Sequence, residues 1–222
     1  MNIKEWHQAF KVQLDTLDTE SALRLQPEVV DVFFNKAINK IVQDAYDGFE
    51  VTQRLSDVIS SQTKLIKYPT PTFSLTTNAF DNNLYGFNLP DDYYFHLQSN
   101  ATIVIDGKEG NVRTVRHTLD TESKVISNPF ERSDDTEIAV FFKLSQIQFY
   151  LPAKSTLKEF DMIYLKKPVK VSYKLYSQNN TTGNSDLHPA LHEQVINLAV
   201  IYALETYGSE RTAAKVQIKD VN

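Results

Sequence analysis

Cysteine is absent from this chain, which at once excludes disulfides, thiolate metal sites and cysteine nucleophiles. Glycine is scarce, at six residues, and no phosphate-binding glycine loop, dinucleotide fingerprint or G-x-S-x-G elbow occurs. No apolar run approaches the ~20 residues that a bilayer-spanning helix needs. The start, Met1-Asn2-Ile3-Lys4-Glu5-Trp6, is amphipathic rather than a secretory signal, and points to synthesis and folding in a cytoplasm. Positive charge is in deficit. A formal charge of −5 and a pI near 5.5 argue against a general nucleic-acid binder, which normally carries a basic face.

What is present is packing material. The 41% hydrophobic and 23% charged fractions are those of a folded chain, and 222 residues suffice for one large domain or two small ones. Thirteen Phe and eleven Tyr supply large contact area at low entropic cost, in cores and interfaces alike.

Periodicity predicts an α+β protein: an antiparallel helical bundle core, an inserted small antiparallel β domain and an extended C-terminal tail. The expected boundaries are 1–68 and 181–211 for the helical core, 69–180 for the β domain and 212–222 for the tail. Trp6, Ala9, Phe10 and Leu14 share one face of a first helix over Ile3 to Leu14. That face either docks the helix on its own chain or, in part, meets a second subunit. Pro27 suits a first helical position. The recurrence of Val30, Phe33, Phe34, Ala37, Ile38, Ile41, Ala45 and Tyr46 then marks a long helix ending at Gly48. A second helix carrying Val51, Leu55, Val58, Ile59 and Leu65 completes the expected hairpin.

After Tyr68-Pro69-Thr70-Pro71 the period falls to about two. Thr102–Ile105, Asn111–Thr118, Ile138–Phe142, Gln146–Tyr150, Asp161–Leu165 and Val169–Leu175 are expected strands, with turn chemistry at Asp106-Gly107 and Glu109-Gly110. A polar loop, Gln178 to Asp186, returns to a last helix entered past Asp186 and Pro189 and closed by Tyr207-Gly208. The tail Lys215 to Asn222 alternates polar and apolar residues with no evident partner in its own chain. Such a tail either adds to a neighbour's sheet edge or is a frayed terminus.

Chemistry is thin. His188 and His192 stand four apart, but the order is H-x-x-x-H-E, with the acid outside the pair, so a cap-and-surface role is expected rather than a zinc site. Asp91 and Asp92 sit beside Tyr93 and Tyr94. Adjacent acids in an extended segment point apart, whereas glycoside hydrolysis needs two that converge, so a turn is expected. Asp15, Asp18 and Glu20 lack calcium-loop spacing. Lys166-Lys167-Pro168-Val169-Lys170 reads as the solvated entry to a strand. No cofactor, metal or catalytic residue is assigned.

The order of segments carries more. An opening Ile3-Lys4-Glu5-Trp6-His7-Gln8-Ala9-Phe10 and an acidic connector precede Pro27-Glu28-Val29-Val30-Asp31 with Asn35-Lys36-Ala37. Gly48-Phe49-Glu50, Leu89-Pro90-Asp91-Asp92-Tyr93, Leu187-His188-Pro189 and Leu198-Ala199-Val200 follow. This series resembles the ring, or tail-adaptor, proteins of crAss-like tailed bacteriophages, over nearly the whole chain. The Arg-rich stretch of relatives is reduced here to Arg54.

The resemblance implies a structural virion protein of a short-tailed phage, assembled in the host cytoplasm and not an enzyme. It would form a ring, twelve-fold, in the portal-to-tail connector, binding the portal and other ring or tail proteins. Genomic DNA would pass through its channel without specific binding, and no membrane would be involved. Trp6, Phe10, Phe33, Phe34, Phe49 and Arg54 are the expected subunit-interface residues. Lys215, Val216, Ile218 and Val221 are the expected tail contacts with portal or neighbour. Two other classes stay open: a receptor- or glycan-binding tail component using Tyr93, Tyr94, Phe141, Phe142 and Tyr150, and an intracellular hydrolase.

Overall fold

The computed structural model describes residues 1–17, 25–48, 60–68, 73–76, 83–128, 133–143, 145–152, 155–178 and 183–207. The chain divides into two compact units, Met1–Gln62 with Lys167–Asn222, and Thr63–Lys166.

The first unit is helical: α1 (Ile3–Leu17), α2 (Pro27–Asp47), the short α4 (Tyr173–Gln178) and α5 (His192–Tyr207). A reciprocal capping box starts α1. Asn2 Oδ1 accepts the Glu5 N–H at 2.9 Å, and a Glu5 carboxylate oxygen accepts the Asn2 N–H at 2.9 Å. In α2, Pro27 holds the first turn, where its missing N–H costs nothing. The centre of this unit is α5, which is apolar on most of its circumference: Val195, Ile196, Ala199, Val200, Ala203 and Leu204 are all buried. Both α1 and α2 pack on it. Its entry is a 3₁₀ turn, Pro189–Leu191, capped by His188, whose Nδ1 accepts the Ala190 N–H at 3.2 Å. Asp186 does other work: its carboxylate accepts the Val169 N–H and its carbonyl accepts the Gln62 side-chain amide.

The second unit is one eight-stranded sheet, in the order β1-β8-β4-β5-β6-β7-β3-β2. Its strands are β1 (Thr63–Tyr68), β2 (Phe73–Thr76), β3 (Asn83–Asn88), β4 (Tyr93–Ile105), β5 (Lys108–His117), β6 (Glu137–Lys143), β7 (Gln146–Leu151) and β8 (Ser155–Lys166). All neighbours are antiparallel except β5 and β6, which pair in parallel from Arg113↔Glu137 to His117↔Phe141. A parallel pair requires a crossover. Here it contains a 3₁₀ turn, Leu119–Thr121, and α3 (Glu122–Ser127).

The sheet curls. Phe87 on β3 stacks against Phe160 on β8 with ring centroids 5.5 Å apart, although β4, β5, β6 and β7 lie between those strands in the sheet order. Phe149 meets Phe160 edge-on at 4.5 Å, and Tyr68 stands 4.7 Å from Phe87. The concave face is therefore a packed interior of Ile103, Ile138, Val140, Ile147, Leu151 and Met162 around these rings. On the other face, α3 covers Ala139, Phe141 and Tyr150 through Val125. Strand β6 is buried on both sides there, which explains its unbroken apolar run Ile138–Phe142.

This architecture corrects the expected helical bundle core with a small antiparallel insertion. The sheet is large, mixed and curled. Among the described residues the expected hairpin has no second helix reaching Leu65. A 3₁₀ turn, Ser60–Gln62, leads instead into β1, where Leu65 pairs with Ile163. Period two prevailed because Ile66 and Tyr68 face the apolar interior while Leu65 and Lys67 alternate outward. Val51, Leu55, Val58 and Ile59 lie outside the described residues.

The expected strand Val169–Leu175 does not form either. Residues 167–172 are irregular and α4 begins at Tyr173. Side chains of α2 take the place of a strand partner. Asn35 Oδ1 accepts the Val171 N–H at 2.9 Å, its Nδ2 donates to the Val171 carbonyl at 3.0 Å, and Asp31 Oδ2 accepts the Tyr173 N–H at 2.9 Å.

Candidate assembly surfaces

Four of the aromatic residues expected at a subunit seam are spent inside their own unit. Trp6 is 1% exposed, Phe10 2%, Phe33 7% and Phe34 0%. Phe34 is the hub, taking the edge of Trp6 at 5.4 Å, His7 at 5.3 Å and Phe10 at 5.6 Å. Such edge-to-face pairs each add ~0.5–1.5 kcal/mol beyond the area they bury. Little of these four side chains is left for a neighbour to touch. Phe49, Arg54, Lys215, Val216, Ile218 and Val221 lie outside the described residues.

His188, His192 and Asp92 hold local structure, as does Asp134. His188 caps the 3₁₀ turn, whereas His192 is buried and stands 5.0 Å from Trp6. Its Nε2 donates to the Leu187 carbonyl and its Nδ1 faces the Met1 amine at 3.2 Å. Burial lowers its pKa from the ordinary histidine value. Asp92 accepts from Lys64 Nζ and, at 2.9 Å, from the Tyr164 hydroxyl, so it anchors the turn that enters β4. The Lys64 hydrogen bond holds its carboxyl below the usual range. Asp134 folds its own turn by accepting the Thr136 hydroxyl and the Thr136 and Glu137 N–H groups at 2.7–2.8 Å.

The aromatics expected to read a sugar are largely committed too. Phe141 is fully buried, and Tyr150, 9% exposed, donates its hydroxyl to Glu122 at 2.7 Å. Tyr93 stacks on Phe142 at 5.9 Å, and Arg116 sits over the same ring at 5.1 Å. Tyr94 leans on Phe95 at 4.1 Å.

Among the described residues, the large apolar side chains that remain exposed are Met1, Val12 on α1, Val32 on α2, Leu65 on β1, Leu119 before α3, Val169 before α4, Leu175 on α4 and Tyr207 at the end of α5. A shallow groove in the helical unit, of about 520 Å³, is lined by Lys4, His7, Lys11, Asp15 and Tyr173 among others. In it, His7 Nε2 meets Asp31 Oδ1 at 2.9 Å, a pair that ties α1 to α2. No cluster of three or more metal-ligating side chains occurs among the described residues.

The family described as phage tail ring protein 3/4 matches residues 1–215. The chain belongs to that family. It is a ring protein of the crAss-like phage type, with a structural role in the tail of the virion, where ring subunits assemble with copies of themselves and with other tail proteins. No curated protein matches the chain.

The signal missed was that of the edge strand β1. Thr63–Tyr68 has the β-branched and aromatic content of a strand but was absorbed into a helical pattern.

Proposed function

We propose that this ring protein is an adaptor in the connector between portal and tail of a short-tailed phage, present as a closed twelve-fold ring that forms part of the DNA channel wall and links portal to downstream tail proteins. One observation carries the reading: the family match spans nearly the whole chain rather than a fragment. Two others support it. Rings are built from heterologous interfaces that close by rotation, and two rigid units with different surfaces give each copy unlike faces to offer. The net charge of −5 suits a DNA passage, because carboxylates on a channel wall discourage a polyanion from sticking. Asp15 and Asp135 are exposed and available for that lining.

Native mass measurement tests this. Alone or with purified portal, the chain should give a closed oligomer whose copy number matches the portal's twelve. A chain that remains monomeric and ignores portal and tail proteins at every concentration overturns the adaptor reading. An image of the assembled particle with only lysines facing the lumen removes the channel-charge argument.

A further inference from the structure

Strand β1 ends the sheet, with β8 on one side and no described strand on the other. Over Lys64–Tyr68 this leaves a row of backbone groups that ordinarily invites pairing, and proteins guard such edges with protruding lysines. The guard is disarmed here. Lys64 is drawn to Asp92, and Lys67 lies along its own sheet, 3.3 Å from Asp161 and 3.6 Å from Glu159. Between them Leu65 is 59% exposed.

We infer that the C-terminal segment of a second copy, Lys215-Val216-Gln217-Ile218-Lys219-Asp220-Val221, pairs antiparallel with the open edge of β1. Its polar–apolar alternation has period two over Lys215–Lys219, and its seven residues are enough to lie along the six of β1. One face of such a strand would continue the row of Ile66 and Tyr68, and the other would cover Leu65. Each copy would then give a strand to one neighbour and accept one from the other, a head-to-tail contact of the kind that closes a ring. The inference rests on the ring-forming reading, and it names the contact.

The cysteine-free sequence makes the test direct. A chain carrying only Leu65→Cys is mixed with chains carrying a single cysteine at 216, 217, 218 or 219, so that a mixed bridge can form only between copies. Bridging at alternate tail positions, either 216 and 218 or 217 and 219, is expected, because only side chains on one face of a paired strand come within disulfide reach. In hydrogen exchange, amides 64–68 of the assembled chain should be protected at least ~10-fold more than in a 1–211 truncation, with β4 unchanged in both. Bridging without alternation, or none in chains that still assemble, overturns the inference. So does a 1–211 chain that forms the same ring with the same β1 exchange; that outcome leaves the adaptor reading standing. A full chain that never assembles removes both.

Discussion

Asn35 grips Val171 by both of its backbone hydrogen-bonding groups, accepting the N–H at 2.9 Å and donating to the carbonyl at 3.0 Å. One amide side chain on α2 thereby does for residues 167–172 what a neighbouring strand would otherwise do. The same Nδ2 also reaches the Asp31 carbonyl at 2.7 Å, which fixes the orientation of the amide. A buried backbone group left without a partner costs ~1–3 kcal/mol. Asn35→Ala strands two, so a loss of ~2–4 kcal/mol is expected, read as a lower urea midpoint with unchanged slope. Asn35→Asp keeps the acceptor and loses the donor, and should fall between wild type and alanine. Equal stability of all three would show that the Val171 groups find water instead.

The single tryptophan provides a local probe of the helical unit. Trp6 is 1% exposed and meets Phe34 edge-on. Phe34 is fully buried and also contacts Phe10 and His7, so Phe34→Ala opens a cavity beside three rings at once. A destabilisation of ~3–5 kcal/mol is expected, with a red shift of Trp6 emission in the native baseline. If emission stays unchanged while stability drops, the cavity has collapsed without wetting the indole.

These two sites show what the sequence could and could not disclose. The faces of α1 and α2 were legible because Trp6, Phe10, Phe33 and Phe34 recur at helical spacing and the core simply accepts them. The strands Asn111–Thr118 and Gln146–Tyr150 were legible from their approximate period of two, and Ile138–Phe142 from a short run of β-branched and aromatic residues. Val169–Leu175 was not, because its extended start is held by Asn35 and Asp31, more than a hundred residues earlier, and no local pattern announces a side-chain partner. The curl was equally hidden: the contact between Phe87 and Phe160 depends on strand order, which periodicity does not encode. The helical bundle was expected because one apolar stripe on α2 implies a partner helix nearby in sequence. The partner turned out to be α5, at the far end of the chain.

Acid should weaken the sheet through His96. Its ring is partly buried against Phe142 at 4.9 Å, and its Nε2 pairs with Ser99 Oγ at 2.8 Å. Burial, with a smaller contribution from the Arg116 charge, lowers its pKa to about 4. The unfolded chain titrates this group near 6.5, so below that pH it binds a proton that the folded form refuses. The neutral-ring contribution is complete above pH 6.5 and is lost progressively as pH falls toward about 4. His192, also lowered by burial, acts in the same direction. For His96 the loss should be ~1–3 kcal/mol after discounting for solvent near the ring. His96→Asn should flatten the dependence of the melting temperature on pH between 7 and 5. A variant as acid-sensitive as wild type would assign the effect elsewhere.

Two ion pairs of nearly equal length should differ sharply in worth. Lys158 reaches Glu109 across β4 at 2.6 Å, with both side chains more than half exposed. Lys143 reaches Glu122 at 2.6 Å, with 32% and 20% of the side chains exposed, and the same carboxylate oxygen accepts the Tyr150 hydroxyl at 2.7 Å. The first pair lies in water, where such contacts are worth ~0–1 kcal/mol and are screened by salt. The second joins α3 to β6 and β7 over the buried ring of Phe141, so its removal also leaves the Tyr150 hydroxyl unmatched. Lys158→Ala should therefore change stability by no more than ~0.5 kcal/mol, whereas Glu122→Ala should cost ~2–3 kcal/mol. Tyr150→Phe separates the two parts of the second effect. Combined with Glu122→Ala in a double-mutant cycle, it should show a coupling of ~1 kcal/mol or more. Strict additivity would mean that α3 is held by Val125 packing alone and that the carboxylate contributes nothing through the tyrosine.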